Sequence, residues 1–94
     1  MPADFTSLRN YYEHPVVDAV MAAAPHYPML GEEELPDVAC VALNRLPTRY
    51  IRHQVDLAFY LTEKERQENE KQVNEAVSYA FEFVQARVAM RARR

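Results

Sequence analysis

The sequence predicts a mainly α-helical domain with one short β-strand. Three observations carry that expectation. Glycine occurs once in 94 residues, too rarely for the many turns of an all-β fold. Apolar residues recur at helical spacing in three stretches, each opened by a proline or a threonine cap. Between the second and third stretches the chain alternates apolar and polar residues with period two, which is the signature of a strand.

Residues 1–94 read as a single domain, with an N-terminal arm over 1–13 and a basic tail over 91–94. From Asp4 to Tyr12 the arm reads as a short helical turn. Pro15 then stands where a helix begins, because its missing N–H costs nothing in the first turn. Val16, Val17, Val20, Met21 and Ala24 give that helix one apolar face, and Pro25 ends it. Residues 26–36 hold the lone Gly31 and Glu32, Glu33 and Glu34, and read as a surface loop.

A second helix is expected from Pro36 to Leu46. Its buried stripe is Val38, Val41, Ala42 and Leu46, and Asp37 in the first turn suits the positive end of the helix dipole. Pro47 stops it, since the residue before a proline avoids the helical region. Beyond Pro47, Ile51, His53, Val55, Leu57, Phe59 and Leu61 alternate with Tyr50, Arg52, Gln54, Asp56, Ala58 and Tyr60. A lone strand leaves its backbone groups unsatisfied, and no second strand is visible. Pairing with its own copy in a second chain is therefore expected.

The last helix opens on Thr62 and Glu65, a T-x-x-E capping box. Val73, Ala76, Val77, Ala80, Val84 and Val88 form its stripe, while Phe81, Phe83 and Met90 fall outside it, so burial on more than one side is expected. From Glu63 to Met90 it would run about 42 Å at 1.5 Å per residue. A compact domain of this length is only roughly 32 Å across. The overhang and the unpaired strand both predict a homodimer.

Hydrophobic residues at 49% and charged residues at 27% are ordinary for a folded globular chain. At this length folding removes only about 60–65% of the unfolded chain's surface from water, so a partner chain would add usefully to the core. No apolar run approaches the roughly 20 residues that span a bilayer, and no signal peptide is visible. The single Cys40 cannot close a disulfide within the chain and fits a cytoplasmic setting, where a buried apolar role is expected for it.

The net charge is −3, but the cations are unevenly spread. Nine of the eleven basic residues are arginine, concentrated at 45–52 and 87–94. Arg45, Arg49 and Arg52 follow the second helix with no carboxylate among them, and Asn44 and Tyr50 share the stretch. A rigid, always-charged guanidinium fork suits planar and phosphate-bearing ligands. For most of these residues a plainer role is available. Asn44 caps helix ends, Arg45 opposes the dipole, and Tyr50, Tyr60 and His53 pack on the strand.

The run Asp37, Ala42-Leu43-Asn44-Arg45-Leu46-Pro47, Arg49 and Tyr50 resembles the core of the ComFB (late competence development protein) family. Together with the long helix, the resemblance covers roughly Pro15 to Val88. It implies a small ComFB-like helical domain. Some relatives carry a cysteine cluster ahead of the position matching Asp37, suited to zinc. This chain has His26, Tyr27, Met29 and Glu32 to Glu34 there, and Cys40 falls after Asp37, so zinc is not expected. Other relatives are receptors for cyclic di-GMP or cyclic di-AMP. That implies a ligand whose phosphates meet Arg45, Arg49 and Arg52, whose bases stack on Tyr50 and Tyr60, and whose polar edges meet Asp37 and Asn44.

No Ser-His-Asp spacing, H-E-x-x-H or phosphate loop is present, and an enzyme is not expected. The expected function is sensing of a cyclic dinucleotide and relay to a protein effector. A ligand-free interaction adaptor is the alternative of a different class. A nucleic-acid-binding competence protein ranks below both, given the net charge and the nearby acidic patches.

Overall fold

The computed structural model describes residues 3–53 and 61–92. Its elements follow in the order β1 (Arg9–Asn10), α1 (Glu13–Ala23), α2 (Leu35–Asn44), β2 (Tyr50–Ile51) and α3 (Glu63–Ala92), with one 3₁₀ turn at Ala24–His26.

α1 starts two residues ahead of Pro15, which occupies the first turn, where no intrahelical N–H bond is needed. Pro25 coincides with the tightening of the chain into the 3₁₀ turn rather than with a clean stop. α2 stops two residues short of the expected Leu46. Its last turn narrows, with Arg45 N–H donating to the Ala42 carbonyl at 3.1 Å and Leu46 N–H to that of Leu43 at 3.3 Å. Leu46 still reaches the core from this turn. α3 begins as read, and Glu65 N–H donates to Thr62 Oγ1 at 3.1 Å, the threonine arm of the capping box.

The expected pairing of the strand across a dimer is corrected. β2 pairs within the chain, antiparallel to β1, with Arg9 opposite Ile51 and Asn10 opposite Tyr50. The stretch from Asp4 to Tyr12 is therefore a turn at Thr6–Ser7 leading into a strand, not a helical turn. Two residues carry no readable alternation, so the signal lies in chemistry instead. Asn10 Oδ1 accepts from Arg49 N–H at 3.0 Å and from Tyr12 N–H at 3.3 Å, and Tyr11 N–H donates to the Arg49 carbonyl at 2.6 Å. Residues 54–60, where the alternating pattern continued and where Tyr60 stands, lie outside the described residues.

The core is one cluster. Tyr12, Val16 and Val20 meet Val38, Ala42 and Leu46, and both groups rest on Val73, Ala76, Val77, Ala80, Phe81 and Val84 of α3. Alanines at 42, 76 and 80 let α2 lie close along α3, its most extensive contact. The fully buried Phe81 ring stacks on Tyr27 with centroids 4.3 Å apart. Phe83 faces outward at 41% exposure, and Val17 and Met21 stand outside the α1 core stripe at 49% and 59%.

Thirty residues of α3 run about 45 Å, yet its buried residues span only Val73 to Val84. The overhang is real. It gives an elongated body of 52 × 39 × 20 Å with a radius of gyration of 15.6 Å, against about 12 Å for a compact chain of this length. No helix among the described residues is long and apolar enough to cross a membrane.

Candidate functional site

The site is built on the end of α2. Asn44 Nδ2 donates back to the Cys40 carbonyl, one turn earlier in the helix, at 3.0 Å. The tight turn that follows buries Leu46 on one side and throws Arg45 to the other. There the Arg45 guanidinium lies over the Tyr79 ring of α3, 3.7 Å from its centroid.

Stacking engages the face of the guanidinium, while its N–H donors lie in the plane and stay available. Among the described residues no carboxylate forms a salt bridge with Arg45, Arg49 or Arg52; the carboxylates of Asp18 and Glu75 pair elsewhere, with His14 at 3.3 Å and Lys71 at 4.0 Å. Beside Arg45, a polar cleft of about 270 Å³ is closed by Leu46, Pro47, Gln72, Glu75 and Ala76.

Arg49 is fixed through its backbone to Asn10 and Tyr11, with its side chain exposed. Its charge acts on the Tyr12 phenol, whose burial raises the pKa above the ordinary tyrosine value while the Arg49 charge pulls the other way. Tyr50 is 66% exposed on β2, and Arg52 and His53 follow it, both exposed. The packing on the strand expected for His53 is thereby corrected: it is exposed, two residues past the end of β2.

The predicted residues do not close around one cavity. Asp37 is exposed in the first turn of α2. Asn44 lines a different surface, an apolar groove of about 680 Å³ between α1 and α2, with Val17, Met21, Leu35, Ala39 and Leu43. Cys40 also lines that groove and is exposed, not buried as its residue type suggested. It stands two residues from both Val38 and Ala42, on the opposite side of the helix. Among the described residues no three His, Cys, Asp or Glu side chains gather as a metal site needs.

Sequence reasoning missed what Arg45 joins. Tyr79 stacks on Phe83 with centroids 6.1 Å apart and planes 24° from parallel, and the Arg87 guanidinium lies 5.9 Å from the Phe83 centroid. The readable signal was the spacing of 79, 83 and 87, one helical turn apart on one side of α3.

A strand from the arm, a proline-ended helix with an arginine turn, and one long helix beneath them form a single unit. The model of the ComFB family, late competence development protein ComFB, matches residues 9–88 of this unit. The chain belongs to the ComFB family. The match opens on the first residue of β1 and closes on Val88, a residue of α3 packed against the core. The ComFB unit thus includes the β1 strand, ahead of the Pro15 start read from the sequence. No curated protein and no solved structure matches the chain.

Proposed function

We propose that this ComFB protein is a cytoplasmic, non-enzymatic receptor for a cyclic dinucleotide, cyclic di-GMP or cyclic di-AMP, and that it acts as a homodimer through a protein effector. The observation that supports this reading is the arginine turn. Arg45, Arg49 and Arg52 are exposed beside an exposed Tyr50, and no described carboxylate neutralises them. Three cations left unpaired on one turn suit two phosphates. A ring in the same stretch suits a purine face, and an arginine fork matches guanine O6 and N7.

Twofold ligand symmetry is met most simply by a twofold protein dimer. The apolar groove between α1 and α2, with Val17 and Met21 open to solvent, offers a surface for the second copy.

Calorimetric titration with cyclic di-GMP and cyclic di-AMP tests the reading. The expected result is a saturable isotherm of one ligand per dimer with one of the two. At 100 times Kd the ligand adds about 2.7 kcal/mol to unfolding stability. Arg49→Ala is expected to abolish the isotherm and leave the fold intact, because Arg49 is tied to the body through backbone atoms that alanine also has. Absence of heat and of stabilisation with both ligands removes the receptor reading and promotes the ligand-free adaptor.

A further inference from the structure

We infer that the row Arg45–Tyr79–Phe83–Arg87 is a stacking site for the purine of an anionic nucleotide, a site that extends from the arginine turn along α3. The inference rests on the nucleotide reading above and adds residues that it does not use.

The geometry carries it in three ways. First, the row combines the groups a nucleotide requires, with guanidinium groups at both ends and two rings between them (3.7, 6.1 and 5.9 Å from neighbour to neighbour). Second, the row is built but uncovered. Tyr79 and Phe83 are 42% and 41% exposed, in a helix whose other large ring, Phe81, is fully buried. Aromatic faces of this kind hold a base with little regard to its identity. Third, the cleft beside Arg45 supplies groups for the edge of a base. Gln72 carries both a donor and an acceptor, and Glu75 carries an acceptor.

Stacking on Tyr79 holds Arg45 in place without using its in-plane donors, so binding need not order a long side chain first. Glu75 and Glu82 also stand exposed near the row, and Glu75 is held by Lys71 at 4.0 Å. Acid on this flank favours a small ligand, which the row can orient with its phosphates toward the arginines. A long polyanion would have to cross the glutamates.

The test uses the full chain with cyclic di-GMP and cyclic di-AMP as probes. Tyr79→Leu and Phe83→Leu keep apolar bulk at half-exposed positions, and Arg87→Gln keeps length. Each is expected to weaken binding about tenfold or more, the worth of one stacked base or one charged contact. The chain contains no tryptophan. Phe83→Trp therefore places a sole indole in the row, and its fluorescence is expected to quench along the calorimetric isotherm.

If wild type binds, Arg49→Ala abolishes binding, and the leucine variants and the indole are all unmoved, this inference falls while the receptor reading stands. If wild type binds neither probe, both fall. If the leucine variants disrupt self-association and leave nucleotide affinity unchanged, the row is a protein contact and the inference is overturned.

Discussion

At the scale of the residue, two phenylalanines separated by one position make opposite demands. Phe81 is fully buried against Tyr27, so Phe81→Ala is expected to cost about 3–5 kcal/mol in urea unfolding. Phe83, nearly half exposed, is expected to cost less than about 1 kcal/mol in the same experiment. Tyr12 gives a pH dependence. Burial favours its neutral phenol, so its pKa in the folded state lies above that of the unfolded chain. The associated stability is complete below the ordinary tyrosine value of about 10 and is lost as pH climbs through the raised value. Unfolding midpoints between pH 8 and 11 should fall for wild type and fall less steeply for Tyr12→Phe. The arginine turn was legible at this scale because arginine, asparagine and proline announce their chemistry locally. The contact of Arg45 with Tyr79 was not, because it joins positions 34 apart in sequence and depends on how α2 lies on α3. Cys40 shows that helical phase outranks residue type: the sequence held the phase, and the usual habit of cysteine pointed the wrong way.

At the scale of the element, the helices were readable and the sheet was only half so. The α3 stripe of Val73, Ala76, Val77, Ala80 and Val84 is buried as its spacing predicts, because thirty residues give a 3.6-residue period room to repeat. β2 was visible at the start of an alternating run. β1 was invisible because two residues have no period, and its place is set by Asn10 bonds that only the folded chain brings together. Thr62 tests the boundary between these elements. Its hydroxyl accepts the Glu65 N–H ahead of a first turn of α3 that has no buried residue to hold it. Thr62→Ala is therefore expected to cost about 1 kcal/mol and Thr62→Ser little, as read by thermal melting.

At the scale of the whole molecule, the pairing of β1 with β2 removes one of the two reasons for expecting a dimer and leaves the other. α3 still overhangs a body that buries only its middle, and the α1–α2 groove presents an uncovered apolar surface. Light scattering at micromolar concentration is expected to give twice the chain mass of 10.9 kDa. Met21→Glu, on the groove, is expected to return the monomer mass with the helical signal unchanged, since Met21 lies outside the core. A wild-type monomer would leave the groove without an occupant in solution and remove the dimer from the reading.

The sheet also orders events in time. Its two strands lie about 40 residues apart in sequence, and a ribosome working at roughly 5–20 residues per second separates their appearance by about 2–8 seconds. Tyr12, which follows β1, waits longer still, because its hydroxyl reaches Asn69 and Gln72 of α3. Through that interval Arg9 and Asn10 have no strand to join. β1 therefore waits unpaired while α1 and α2 are made, and a nascent-chain protease has its opportunity there.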